Sequence, residues 1–252
     1  MNNKQSTIIN KPIKIAIVVI IIALGVIFMF NLNSKKDRNQ NSGTGGVLAL
    51  NVEKPKYLTG EKVVVRMASL DKDGQTLCNS NLELTVDGAK VGGVKKSSTC
   101  TPDFATYDPD YIYEFTASKA GTYRLKLTNL DTKNFVIGET VVVDQRDLDI
   151  TRLSPTRIKP TKEPRYSMII SITANKDFKG EISDIVPKGL SIPWQGPASV
   201  TENSDGGKTI TWQADLKAGE NKEFAYEFTA PQVSPAVYKF GQNSEWSIVA
   251  AK

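Results

Sequence analysis

Tyr111-Ile112-Tyr113-Glu114-Phe115-Thr116 and Phe224-Ala225-Tyr226-Glu227-Phe228-Thr229 each set an aromatic ring at every second position. Successive side chains of an extended chain point to opposite faces, so each stretch reads as a strand with one aromatic face and one mixed face. Such strands belong to an antiparallel sheet that buries one side and shows the other to water. The same period of two recurs outward from them. Val63, Val65 and Met67 alternate with Val64, Arg66 and Ala68, and Tyr123, Leu125 and Leu127 alternate with Arg124, Lys126 and Thr128. Further on, Met168, Ile170 and Ile172 oppose Ser167, Ser171 and Thr173, while Ile210 and Trp212 share a face. Turn signals divide the runs: Asp73-Gly74, Asp87-Gly88 and Asp205-Gly206-Gly207 supply the positive φ that tight hairpins need. No stretch after residue 46 sustains a helical apolar period, so the body is expected to be all-β and built as sandwiches.

The polar stretch Asp144–Asp147 divides this body into two parts of about a hundred residues each, an ordinary domain size. The expected boundaries are 47–145 for the first sandwich, ending on a strand through Val141–Val143, and 146–252 for the second, ending on Trp246–Ala250. The junction is short, which favours a semi-rigid pair.

Two resemblances add to this. Pro55–Gly74 (PKYLTGEKVVVRMASLDKDG), closed later by Gly121-Thr122-Tyr123, resembles macroglobulin-type Ig-like modules of secreted and surface proteins. The second part resembles the conserved-repeat Ig-like domain of bacterial and archaeal surface proteins. It does so through Val186-Pro187-Lys188-Gly189-Leu190, Ile210-Thr211-Trp212 and Leu216-Lys217-Ala218-Gly219-Glu220. The resemblance implies two tandem Ig-like antiparallel β-sandwiches and an envelope location. It implies no activity, because a fold of this kind hosts many unrelated functions.

Ile15–Phe30 contains no polar side chain, and extending it to Leu32 gives an eighteen-residue run. At about 1.5 Å per residue that is roughly 27 Å, enough to cross a hydrocarbon core as a helix. A cleaved signal peptide would have a shorter apolar run and a small-residue cleavage site. Asn31, Asn33, Lys35 and Lys36 follow instead. The expectation is a cytoplasmic tail (1–14), a transmembrane anchor in the lipid bilayer (15–32) and a flexible Gly-bearing linker (33–46). The lysines on the two sides of the span nearly balance, so sidedness rests on Cys78 and Cys100. A disulfide between them closes a loop of about twenty residues and persists outside the reducing cytosol. Two buried free thiols are the alternative. The disulfide reading makes this a single-pass protein of the cell membrane with its body outside the cytoplasm.

Charge and composition exclude several functions. Setting aside Lys4, Lys11 and Lys14 leaves 29 basic against 27 acidic residues, so the body lacks the excess a nucleic-acid reader would carry. The chain has no histidine, which removes Ser-His and Cys-His nucleophile pairs and the commonest metal ligand. A Ser-Lys hydrolase built on Ser167 would avoid histidine, but Ser167 falls on the polar face of a strand. No catalytic residue, cofactor or metal is assigned. Asp71-Lys72-Asp73-Gly74 opens like a calcium loop yet lacks the closing glutamate. Asp103, Asp108 and Asp110, and the junction acids Asp144, Asp147 and Asp149, read equally well as turn and linker residues.

The candidate contact residues for a protein or glycan partner are Trp194, between Pro193 and Pro197, and Tyr107 and Tyr111, which flank Asp108-Pro109-Asp110. Arg157, Lys159 and Lys162 join them, from a proline-punctuated basic ribbon that would otherwise be a protected edge strand. The leading functional expectation is a structural, adhesive or ligand-presenting protein of the cell envelope. The alternative is an accessory subunit of a membrane secretion, pilus or division assembly.

Overall fold

Alternation turns into strands almost everywhere it was read. The computed structural model describes residues 45–242 and 245–252. The expected tail, anchor and most of the linker lie outside the described residues. The described chain contains no helix and nineteen strands. Those of the first half are β1 (Val47–Val52), β2 (Lys56–Leu58), β3 (Lys62–Leu70), β4 (Leu82–Val86), β5 (Ala89–Val91), β6 (Lys95–Lys96), β7 (Tyr111–Thr116), β8 (Gly121–Asn129) and β9 (Phe135–Val143). The second half holds β10 (Leu148–Leu153), β11 (Arg157–Ile158), β12 (Tyr166–Ala174), β13 (Phe178–Val186), β14 (Ser191–Trp194) and β15 (Ser199–Glu202). It continues with β16 (Lys208–Leu216), β17 (Asn221–Thr229), β18 (Ala236–Phe240) and β19 (Trp246–Ala250).

In the first half, sheet β1-β3-β7-β6 faces sheet β2-β9-β8-β4-β5 across one apolar core. Val63, Val65 and Met67 enter it from β3, and Leu125 and Leu127 from β8. In the second half, sheet β10-β12-β17-β14 closes against β13-β16-β15 and β11-β19-β18. Their shared core holds Met168, Ile170 and Ile172 opposite Trp212, with Phe224, Tyr226 and Phe228 beside them. Ring contacts at 5.1–6.4 Å run through Trp212, Phe224, Tyr226, Phe228 and Phe240. All pairings are antiparallel except β2 with β9 and β11 with β19. The hairpin at Asp87-Gly88 joins β4 to β5, and both turn residues have positive φ. That is the turn whose twist matches paired strands.

The Asp144–Asp147 stretch falls between β9 and β10, and the strands on its two sides build the two separate cores. A third apolar cluster joins them. Ala49, Ala68 and Leu70 of the first half meet Val249 and Ala251 of the second. Asn51 and Ser247 seal this contact. Ser247 N–H donates to Asn51 Oδ1 at 2.7 Å, and Asn51 Nδ2 donates to the Ser247 carbonyl at 2.9 Å. Both side chains are buried, so these bonds satisfy groups that water cannot reach. At the bend itself, Lys54 and Arg146 bind Glu61 and Asp149 in one network. Burial raises the Glu61 pKa, but the bonds from Arg146, Lys54 and the Leu58 amide outweigh it and bring it down to about 2.

Candidate functional site

The most elaborated surface feature is the segment between β6 and β7, Ser97–Asp110. Its sequence, Ser-Ser-Thr-Cys-Thr-Pro-Asp-Phe-Ala-Thr-Tyr-Asp-Pro-Asp, has no period and two prolines, so it cannot extend either strand and must cross the surface as a strap. The strap is pinned at its root. Cys78 and Cys100 form a disulfide, as the sequence suggested. The Ser97 amide donates to the Asp110 carbonyl, closing the strap at its base.

Beyond Cys100 the strap lies on the second half of the molecule. The Arg157 guanidinium binds both oxygens of Asp110 through Nε and Nη2, each at 2.9 Å, and Nη2 also donates to the Thr101 carbonyl. Arg157 and Asp110 are both buried, so this is a desolvated fork-to-carboxylate pair. The Lys159 ammonium donates to the Pro102 carbonyl at 2.5 Å. Burial pulls the Lys159 pKa below the ordinary lysine value, and the neighbouring charges of Lys162 and Arg157 add to that pull. The Ala105 amide donates to Glu163, and Ala105 itself packs against the second core. Toward its own half the strap makes one side-chain bond from outside the segment, Arg66 Nη1 to the Tyr107 carbonyl.

Ordering one residue's backbone costs about 1–2 kcal/mol. A bond to a charged group returns about 1.5–3 kcal/mol net. The nine residues Thr101–Pro109 therefore cost more to order than their few contacts return. The disulfide closes the separate loop from Cys78 to Cys100, a separation of 22 residues, which contributes about 3 kcal/mol by restricting the unfolded chain, and it fixes the point from which the strap departs.

So held, the strap shows two rings to solvent. Phe104 is 64% exposed and Tyr107 41% exposed. Phe104 was not singled out from the sequence. It lacks the flanking pattern that drew notice to Tyr107, and a lone Phe between Asp103 and Ala105 reads as an ordinary loop residue.

The other expected contact residues divide in two. Trp194 is 49% exposed on β14, an edge strand, and sits opposite Glu227 of β17. Its six-membered ring rests against Gly196, where an added Cβ would stand 3.6 Å from Cζ2. Lys162 is exposed and faces Asp103 at 3.7 Å. Tyr111, Arg157 and Lys159 are corrections, because all three are interior. Tyr111 belongs to the first core, and its hydroxyl donates to the Leu77 carbonyl and accepts from the Ser80 amide. Arg157 and Lys159 face the strap as described. Arg152 of the same ribbon is interior too, bonded to Asp184 at 2.7 Å and Glu245 at 3.1 Å. Asp184 also accepts from the Tyr226 hydroxyl, and its burial drives its pKa upward.

The acidic clusters are likewise occupied by protein. Asp71 Oδ1 accepts from the Asp73 and Gln75 amides, Asp144 from the Thr59 hydroxyl, and Asp147 pairs with Lys176. Among the described residues no group of three or more metal-ligating side chains is placed to hold an ion.

No family model matches the chain. No curated protein matches it either. Solved structures with similar backbones include trypsin-activated α-2-macroglobulin from Escherichia coli (12% identity, 81% of this chain and 15% of that one, TM-score 0.33). They also include the Yersinia pseudotuberculosis adhesin InvE (12%, 83% and 61%, TM-score 0.30). A third is the collagen adhesin of S. aureus (12%, 86% and 93%, TM-score 0.24). Bacterial adhesin and macroglobulin structures are thus among its neighbours, at scores that carry no functional argument.

Proposed function

We propose that this is a membrane-anchored protein whose two Ig-like modules stand outside the cytoplasm and make an adhesive or ligand-presenting contact at the cell envelope. The observation that carries the reading is the pinned strap. A buried charge pair, carbonyl bonds and a disulfide all serve to fix a segment whose exposed side chains include two rings in water, Phe104 and Tyr107. Large rings held in place lose little entropy on binding and are the side chains that anchor interfaces. The apolar run 15–32 supplies the anchor, and the disulfide fits an oxidising compartment. The reading assigns no catalysis.

The test is capture from native membranes with the full chain. Wild type is expected to retain an envelope component, and Phe104→Ala with Tyr107→Ala to weaken retention about thirtyfold, the effect of losing about 2 kcal/mol at a hot spot. Both side chains are exposed, so circular dichroism and tryptophan emission should stay as in wild type. Equal retention by both proteins would sink the strap as the contact element. Release of the protein from membranes by alkaline carbonate would sink the anchor.

A further inference from the structure

The cysteine pair differs at its two ends. Cys78 grows from a fixed base: the Leu77 amide donates to the Ser69 carbonyl, the Leu77 carbonyl accepts from Tyr111, and the Ser80 amide donates to the same hydroxyl. Cys100 sits in the strap, where its amide makes a local turn bond to Ser97. The next two residues, Thr101 and Pro102, are the ones whose carbonyls accept from the buried Arg157 and Lys159. Both cysteines are partly exposed.

We propose that the Cys78–Cys100 disulfide is a redox-sensitive catch. When oxidised, it holds the strap across segment Thr156–Glu163 of the second half; when reduced, it lets the strap lift and leaves that segment loosened. The chemistry is ordinary exchange with a dithiol. One thiolate of the reagent attacks a sulfur of the S–S bond, and its second thiol resolves the mixed disulfide. Two electrons and two protons leave Cys78 and Cys100 as thiols and the reagent as a disulfide.

Release follows from what remains. Asp110 stays in place beside β7, so Arg157 keeps its carboxylate partner. Lys159 does not. Its ammonium is bonded to the Pro102 carbonyl alone, and a buried ammonium without an acceptor must move toward water. Lys159 also supports its surroundings, since its carbonyl accepts from the Lys162 and Glu163 amides and its amide donates to the Tyr166 hydroxyl. Loosening Lys159 therefore reaches the whole turn that leads into β12. For a bound partner the consequence is a contact surface that exists only in the oxidised protein, and this consequence rests on the strap reading above. The catch itself does not.

The test is amide hydrogen exchange on the full chain in detergent micelles, with and without a dithiol. Reduction is expected to speed exchange by about tenfold or more in 98–108 and also in 156–163, while β8, β12 and β17 keep their protection. Cys78→Ser with Cys100→Ser should reproduce that pattern without reductant. Three outcomes overturn the proposal. Faster exchange confined to 98–108 makes the disulfide a local tie. Loss of protection throughout both cores makes it a general staple. No change makes it dispensable. The measurement needs no partner. A strap that fails in membrane capture but opens on reduction thus refutes the adhesive reading and leaves the catch intact.

Discussion

Arg157 was read as an exposed ribbon cation, yet it is interior and bound side-on to Asp110, forty-seven residues away. Nothing local in the sequence announces such a pair, because the basic ribbon and the strap carry their charges in separate stretches. The same holds for Lys159 and the Pro102 carbonyl, and for Arg152 and Asp184. Lys162 and Tyr107 are exposed, Lys162 beside Asp103 and Tyr107 with its carbonyl on Arg66. The buried pair makes a sharp prediction. Asp110→Ala leaves a guanidinium without its carboxylate and should cost about 3–5 kcal/mol in denaturant unfolding, whereas replacing both residues with apolar side chains of similar volume should cost far less. Glu61 gives a second prediction, with a pH sign. Its carboxyl falls from the ordinary 4.5 to about 2, so its ionised form favours the folded state. That contribution is complete above about pH 4.5 and is lost as pH falls toward 2. Glu61→Gln should therefore be less stable than wild type at pH 6, and the gap should close through that window. A gap of constant size across an acid titration would show that the Lys54–Arg146 network does not hold the charge.

At the scale of elements, strands with one wet face announce themselves by alternation, and strands with none lack that mark. β8, β12 and β17 alternate in sequence and in burial because only one side of each meets a core, and β3 does so as far as Met67, beyond which Ala68 and Leu70 bury its other face as well. β1, Val-Leu-Ala-Leu-Asn-Val, opens the expected β body but carries no clear polar face to mark it as a strand of its own. Leu48 and Leu50 enter the first core, while Ala49 and Asn51 on its other face meet the second half, so both faces want apolar or satisfied residues. β19, buried at every position, has no alternation either, yet Trp246–Ala250 is the expected closing strand of the second sandwich. The turn at Asp73-Gly74 was read as a plain hairpin signal, but it is also a contact. Gly74 has φ +81°, a Cβ there would stand 2.0 Å from Ser234 Oγ, and its carbonyl accepts from the Lys252 amide. Gly88 has nearly the same φ, with open space around it. Gly88→Ala should thus lose only the backbone preference, about 1–2 kcal/mol. Gly74→Ala should lose that and a steric term, and so melt at a lower temperature than Gly88→Ala. Equal melting temperatures would mean that the turn does not bear on the second half.

At the scale of the molecule, the two cores draw on strands from either side of Asp144–Asp147, but contact does not end there. The apolar seam of Ala49, Ala68 and Leu70 with Val249 and Ala251, the Asn51–Ser247 bonds and the strap all cross from one half to the other. Two halves joined over such a surface should unfold together, since separating them exposes the seam and strands the buried partners on each side. The tryptophans make this measurable. Trp194, Trp212 and Trp246 all lie in the second half, so their fluorescence reports that half alone. Leu84 lies fully buried in the first core. Leu84→Ala should cost about 2–5 kcal/mol there through lost contacts and the cavity left behind. If the halves are one cooperative unit, the denaturant midpoint seen by tryptophan emission shifts by that full amount, although no tryptophan is near the substitution. If they are independent, the tryptophan midpoint stays at the wild-type value and only a probe in the first half, such as exchange in β8, records the loss. The first outcome makes the seam part of what keeps the strap in place; the second leaves the strap's own bonds to carry the junction.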